Sequence, residues 1–397
     1  MHWLFDISSY DYDLPESCIA QEPTIPQDRA KLLVYRNKDI SDTIFSHLPD
    51  VLEQWSVLFF NDTKVMQSRV VVKNKKCLLK TGIDALIQEG EIFVYQIHDD
   101  NHMEVLVSDG KHYRPWSIIY RNDTITLYSE SFTQEGIMFR IQWMSSYQFL
   151  EKYGQLPLPP YIAYTDEKSQ WYQTCFASYI GSAAAPTASL HFTPELLTSL
   201  TQSWYKTDYA TLHVWLGTFK PVYQEDIRKH DIHQEYAKID TVLFTTIAQY
   251  KKTKNPIVAV GTTMMRLLES LPYLWKIMQL QWLLYDDFNQ ETKTYRDHIA
   301  QDISQQQSEK YIDPQSIQYD EKNILFQTKI FIYPWFVFRV VNSLITNFHL
   351  PKSSLLMLVA ACIGDERKEI YQHAIQNNYR FYSFGDGLLI QTGLHGG

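Results

Sequence analysis

The sequence predicts an α/β protein with a second, all-β domain inserted into the first. Three observations predict it. A strand at 256–260, a Gly261-Thr262-Thr263 turn and a helix at 264–271 follow one another, which is the order of an α/β unit. Between residues 65 and 150, short β-like runs alternate with turn residues and helical patterns are nearly absent, the signature of a barrel or sandwich. The segment Leu156-Pro157-Leu158-Pro159-Pro160-Tyr161 then forbids helix and central strand alike, because proline lacks the N–H and fixes φ. It marks the exit from the second domain. The division expected is therefore 1–64 with 151–397 as the main α/β domain, and 65–150 as the insertion.

Taken in order, Val57-Leu58-Phe59-Phe60 is apolar throughout and reads as a buried strand, stopped by the turn pair Asn61-Asp62. The β-like runs are 68–72, 77–79, 91–97, 103–107, 118–120, 124–128 and 137–143. Residues 183–188 form an Ala/Pro/Thr-rich turn. Thr193 and Pro194 then open a helix as N-cap and first helical residue, with Leu196, Leu197 and Leu200 on its apolar face. A strand is expected at 209–214, a helix at 239–251 and a strand at 330–333. Helices follow at 353–363, after Pro351, and at 369–376. Tyr382 and Phe384 flank the turn Gly385-Asp386-Gly387. Residues 286–325 are polar and read as a surface insertion carrying some helix.

With 397 residues, 45% hydrophobic and 20% charged, the chain has room for two domains and is not a disordered one. Cys18, Cys77, Cys175 and Cys362 are too scattered for a redox CxxC pair, a zinc knuckle or a disulfide framework. The N-terminus has no basic, apolar leader pattern, and no window reaches 18 apolar residues. A soluble, cytoplasmic protein without a membrane partner is expected, and a monomer. The net charge of −9 argues against general nucleic-acid affinity, but the run 64–80 holds Lys64, Arg69, Lys73, Lys75, Lys76 and Lys80 and no acid. That run reads either as a lysine-protected strand edge or as a patch for a phosphate backbone. Glycine is scarce at 14, against an average near 7% of residues, while Trp stands at 10.

Four segments put polar groups beside tight turns: 60–64, 184–192, 211–219 and 346–351. Crevices at the carboxyl ends of strands are where α/β proteins bind ligands. His191, His213 and His349 each sit in one of these segments, and His233 lies beyond the third. Their spacing suits no metal set, so proton handling and hydrogen bonding are the open readings. Gly261-Thr262-Thr263 after a strand can offer N–H groups and hydroxyls to an anion or a ribose, but lacks the spacing of a phosphate loop or dinucleotide fingerprint.

In this order the segments resemble the S-adenosylmethionine:tRNA ribosyltransferase-isomerase (QueA) family of queuosine biosynthesis. The matching pieces begin with Asp11-Tyr12-Asp13-Leu14-Pro15-Glu16, 60–64, 156–162 and Tyr172-Gln173-Thr174. They continue through 184–192, 212–222, 233–239 and 259–270, and end with 332–359 and 379–390. The resemblance implies that the inserted domain is a β-barrel. It implies a transferase that moves and isomerises the ribosyl part of S-adenosylmethionine, its co-substrate, onto 7-aminomethyl-7-deazaguanine at the wobble position of a tRNA. Adenine and methionine leave, epoxyqueuosine remains, and no metal is expected. The partner implied is the tRNA anticodon arm. The alternatives are a diverged relative acting on another nucleoside or RNA, and a non-catalytic RNA-binding paralogue. Catalytic roles are expected for His191, His213, Thr187 and Asp62. Binding of S-adenosylmethionine is expected from Asn61, Thr63, Gly261, Thr262, Thr263, Arg266, Asn347 and His349, with Arg266 offered to its carboxylate.

The departures from the family pattern fall inside these motifs. The family usually has Gly where this chain has Ser189, Trp215 and Trp335, and Ala or Gly at Ser343. It usually has Asp at Asn342, Arg at Trp171 and Ser-Val at Met264-Met265. A tryptophan turned into the pocket would reshape it; one turned outward would stack on a base or fill a neighbouring void.

Overall fold

A computed structural model describes residues 2–78, 84–107, 117–121, 126–133, 136–214, 222–280, 297 and 300–391. The chain divides into two compact units. The first comprises Met1–Lys64, Pro159–Tyr179 and Ala185–Gly397, the second Val65–Leu158 and Ile180–Ala184.

The first unit is built on a ten-stranded mixed sheet. Its centre is four parallel strands in the spatial order Lys206–His213, Val57–Asn61, Ile257–Val260 and Ser343–Asn347. Gly387–Gln391 pairs antiparallel with the last of these and parallel with Lys31–Arg36, which forms a hairpin with Asp39–Ile44. On the other side Glu235–Asp240, Asn323–Thr328 and Gln318–Tyr319 add antiparallel strands. Two of the parallel strands, Val57–Asn61 and Ile257–Val260, read as nearly unbroken apolar runs because both sheet faces are covered there. Val57 and Phe59 face one core with Ile257, Ala259 and Leu344, while Leu58 and Phe60 face a second core with Val258, Val260 and Ile345. Helices Leu243–Lys252, Thr262–Leu280, Ser354–Ile363 and Arg367–Gln376 supply residues to the first core, and Pro194–Gln202 supplies Leu196 and Leu200 to the second. The N-cap of Pro194–Gln202 is Thr193, whose side chain accepts from the Leu196 N–H, as the sequence predicts.

The second unit holds six antiparallel strands in a closed ring: Arg69–Leu78, Asp84–Ile97, His102–Val107, Ser117–Arg121, Thr126–Phe132 and Ile137–Gln142. Alternation puts Ile137, Phe139 and Ile141 inside with Val94, Met103, Val105 and Leu127. Helix Ser146–Tyr153, opened by a Ser145/Gln148 capping box, adds Phe149 and Leu150 to this core.

Three expectations need correction. Residue 239 belongs to strand Glu235–Asp240, and the helix starts only at Leu243. Residues 330–333 form no strand; the pairing strand is Asn323–Thr328, just earlier in the chain. The described part of 286–325 carries helix Gln305–Tyr311, as expected, but also the edge strand Gln318–Tyr319 of the main sheet and the start of its neighbour Asn323–Thr328. Its polarity reflects an edge with alternating exposed residues, which masks the strand pattern. The hairpin Lys31–Ile44 left no strong sequence signal, because its turn carries positive φ on Asn37 and Lys38 rather than on glycine.

Glu269 decides where the last parallel strand starts. Its fully buried carboxylate accepts backbone N–H bonds from Arg339 (2.8 Å), Val340 (3.0 Å) and Val341 (2.8 Å). Burial raises its pKa, and those three N–H groups and the nearby Lys251 charge oppose the rise. Glu269→Ala orphans three backbone donors, two of them in buried bonds. The expected outcome is a loss of about 3 kcal/mol of stability, read as a lower denaturation midpoint of the first unit.

Candidate functional site

The four parallel strands end side by side, at Asn61, His213, Val260 and Asn347. Their carboxyl ends open on a cleft of about 670 Å³, counting its mouth, which falls in the range of small-molecule sites. Thr187, Gly261, Thr262, Thr263, Asn347 and His349 all line it. Six of the twelve expected site residues are therefore brought to one cavity.

Each is held by local chemistry. Gly261 sits at φ +92°, a conformation that a side chain strains, and its N–H bonds the Ile345 carbonyl at 2.8 Å. The turn aims the N-terminus of helix Thr262–Leu280 at the cleft. Thr263 is 7% exposed, and its Oγ1 has no hydrogen-bond partner in the protein. Asn347 uses both ends of its amide: Oδ1 accepts from Thr187 Oγ1 at 3.1 Å, and Nδ2 meets His191 Nε2 at 3.3 Å. His191 stands behind this pair, stacked on Phe45 with ring centroids 4.0 Å apart. That stack requires Gly387, since a Cβ there would lie 2.5 Å from the Phe45 ring. His349 meets Thr346 Oγ1 through Nε2 at 2.7 Å.

Asn61, Asp62, Thr63 and His213 form a neighbouring polar group, and none of them is among the cleft-lining residues. Asn61 spends its amide on the backbone of Leu212, donating at 2.8 Å and accepting at 3.0 Å, so it splices two strand ends. Asp62 accepts from Thr211 Oγ1 at 2.7 Å, and burial pushes its carboxyl above the usual range. Thr63 Oγ1 meets His213 Nδ1 at 2.8 Å. Arg266 lies one helical turn past Thr262, in an adjoining cavity of about 410 Å³ lined with His230, His233 and Ser354. Leu355 lines both cavities. Arg266 forms a buried ion pair with Glu235 and donates to the Ile330 carbonyl at 3.1 Å, while Nη2 has no partner.

Sequence reasoning missed the opposite wall. Tyr161, Tyr382, Ser383 and Ser353 line the cleft. Tyr161 and Ser383 share a 2.6 Å hydrogen bond, and the Tyr161 and Tyr382 rings lie 4.8 Å apart. Asp386 fixes that turn by accepting from the backbone of Lys31 (3.1 Å) and Arg380 (2.8 Å). The proline connector and the Gly-Asp-Gly turn carried the signal, as rigid segments with a tyrosine at the edge.

The departures resolve individually. Trp335 is 66% exposed and is absent from the cleft lining. Trp215 lies outside the described residues. Asn342 takes the Ile257 N–H on its side chain at 2.9 Å and so pins two parallel strands. Ser189 is fully buried with an unpartnered Oγ, as expected of a hydroxyl standing in a glycine's place. Of the basic run, Lys64 is exposed and Arg69 pairs with Glu91; the side chains of Lys73, Lys75, Lys76 and Lys80 lie outside the described residues. Among the described residues no cluster of His, Cys, Asp or Glu suits a metal, and no helix is long and apolar enough to cross a membrane.

The profile of a family described as "Queuosine biosynthesis protein" matches residues 7–390. The chain belongs to that family. A relative from Sulfurihydrogenibium sp. (strain YO3AOP1), named S-adenosylmethionine:tRNA ribosyltransferase-isomerase, is 36% identical over 97% of this chain and 99% of its own length. One of the same name from Halothermothrix orenii is 34% identical over the same shares of both chains. A crystal structure of S-adenosylmethionine tRNA ribosyltransferase from Thermotoga maritima is 26% identical, covers 96% of this chain and 99% of its own, and superposes with a TM-score of 0.47.

Electrostatics in this member of the family are set by burial. It depresses the pKa of His191 and His349 to about 3 each, and that of His213 to about 4, where the Lys238 charge assists. All three imidazoles are neutral at pH 7. An unfolded histidine protonates near pH 6.5, so on acidification the unfolded chain binds protons that the folded one refuses. The stability these groups contribute is complete above about pH 6.5 and is lost as pH falls toward about 4 for His213 and about 3 for the other two. Unfolding free energies between pH 6.5 and 4 are expected to fall by up to about 1.4 kcal/mol per pH unit per histidine. His213→Asn is expected to flatten that slope, measured by denaturant titration at a series of pH values.

Proposed function

We propose that the chain is an S-adenosylmethionine:tRNA ribosyltransferase-isomerase, acting on 7-aminomethyl-7-deazaguanine at the wobble position and giving epoxyqueuosine, adenine and methionine. The observation that carries this reading is the cleft at the carboxyl ends of the four parallel strands, lined by the motif residues of a family to which the chain belongs over nearly its whole length.

In this reading S-adenosylmethionine is a substrate, and its sulfonium is already a good leaving group. The neutral amine bonds the ribosyl carbon as the carbon–sulfur bond breaks, and the electron pair stays on sulfur as methionine departs. A base takes the proton that the amine sheds, and assistance from a base is needed again as the ribose rearranges and adenine leaves. Neutral His349 faces the cleft and is the imidazole within reach. Loss of the sulfonium charge during transfer favours a proton on that ring. Thr187 donates its hydroxyl hydrogen bond to Asn347 Oδ1, which leaves the Thr187 oxygen lone pairs to accept from an incoming amine. His191 acts through Asn347 as a positioning residue. Thr262 and Thr263, at the helix N-terminus, offer hydroxyls to ribose oxygens, and the unpartnered Thr263 Oγ1 supports this. Arg266 Nη2 supports binding of the methionyl carboxylate in the adjoining cavity. Asn61, Thr63, Asp62 and His213 brace the rim. Tyr161 and Tyr382 suit a planar base, as do aromatics that stack splayed RNA bases. The barrel-bearing unit is then an inserted domain, and the basic charge of the run 64–80 suits anticodon-arm phosphates. The protein works in the cytoplasm as a monomer.

Purified protein given S-adenosylmethionine and a tRNA carrying the aminomethyl-deazaguanine is expected to release adenine, and only with that tRNA. Absence of release under conditions in which a family relative reacts would sink the reading. Asn347→Ala is expected to lower kcat/KM on the order of 100-fold, as for loss of a polar group aimed at the reacting centre. Arg266→Lys keeps the charge on Glu235 but loses the fork, and is expected to raise KM for S-adenosylmethionine on the order of 10-fold with kcat little changed.

A further inference from the structure

Seven of the ten tryptophans fall among the described residues, and four of those seven have a left-handed backbone: Trp55 (φ 64°), Trp143 (75°), Trp204 (68°) and Trp335 (80°). Only a few per cent of non-glycine residues adopt such a φ, and bulky ones are outliers there. All four are 63% exposed or more, and among the described residues none of their indoles makes a ring contact or a hydrogen bond. They contribute nothing to the fold that would offset the backbone strain.

The local hydrogen bonds specify what belongs at three of these positions. Tyr333-Pro334-Trp335-Phe336 is a β-turn closed by Phe336 N–H on the Tyr333 carbonyl at 3.1 Å. Proline second and positive φ third make it type II, whose third position calls for glycine. Helix Pro194–Gln202 ends with Tyr205 N–H on the Leu200 carbonyl (3.0 Å) and Trp204 N–H on the Thr201 carbonyl (3.1 Å). That is a Schellman motif, with Leu200 and Tyr205 packed in one core, and Trp204 takes its left-handed C′ position, the usual glycine site. Trp55 is third in a turn closed by Ser56 N–H on the Glu53 carbonyl at 3.2 Å. Trp275 is the internal contrast. It lies within a helix, 1% exposed, and its indole N–H donates to Asp297 at 3.2 Å. The structure uses that indole and has no use for the other four.

We propose that the protein made by the organism encoding this chain carries glycine at positions 55, 143, 204 and 335, because its translation machinery reads as glycine a codon that other machineries read as tryptophan. The codon UGA is open to that double reading: it is stop in the standard code, tryptophan in some codes and glycine in others. UGG is not, and it is the codon expected for Trp275. Part of the glycine shortage is then a shortage on paper. The exposed indoles are no part of an RNA-stacking surface.

Two measurements test this. The gene is expected to carry UGA at codons 55, 143, 204 and 335, and UGG at codon 275; UGG at the four positions overturns the proposal. Peptide mass spectrometry of the protein purified from its own organism is expected to find glycine at the four positions, and tryptophan there overturns it equally. As a physical check on recombinant protein, the variant W55G/W143G/W204G/W335G is expected to melt at a higher temperature than the chain with four tryptophans, and W275G at a lower one. A quadruple variant that melts lower would remove the conformational argument.

Discussion

Three consecutive N–H groups bound to one buried carboxylate set the frame for everything else. Glu269 projects from helix Thr262–Leu280 and takes the backbone of residues 339–341 just before strand Ser343–Asn347 begins. The same helix starts at the cleft, with Thr262 and Thr263. One element thus places two neighbouring sides of the cleft: its N-terminus supplies one, and its buried acid sets the start of the strand that ends in the other, at Asn347. A buried carboxylate with too few partners would be strongly destabilising. Three donors and the Lys251 charge are what make this one tolerable.

The cleft inherits its chemistry from the way parallel strands end. Four strands stop in line, so Asn61, His213, Gly261 and Asn347 meet at one edge although they are far apart in sequence. Most of their polar atoms are satisfied internally, which fixes rotamers before a ligand arrives. Nearby, Thr263 Oγ1 and Arg266 Nη2 are buried groups with capacity left for a partner. Burial keeps the three histidines neutral by disfavouring their charged forms.

Legibility in the sequence followed the strength of the local signal. Continuous apolar runs disclosed Val57–Asn61 and Ile257–Val260, since both faces of the sheet are buried there, while Ser343–Asn347, with serine, threonine and asparagine among its five residues, was missed. Thr193-Pro194 disclosed a helix start through cap chemistry. The outer strands Asn323–Thr328 and Asp39–Ile44 were obscured, because polar residues alternate with apolar ones along them and their turns lack glycine. Six expected site residues share the cleft because their motifs sit at strand ends. Arg266 missed it because it lies one helical turn, about 6 Å along the axis, beyond Thr262 and lines the adjoining cavity instead.

The sequence alone determined the family, the mixed α/β architecture and the set of turns that carry polar groups, because those depend on residue order and local propensity. Only the tertiary structure decided which polar groups have spare hydrogen-bonding capacity, that Tyr161 and Tyr382 close the cleft, and that Trp335 points away from it. These are matters of partner and direction, fixed by contacts between residues far apart in the chain. The backbone angle at four tryptophans belongs with them. Glycine scarcity was visible in the composition, but only the left-handed turns show where glycine is called for.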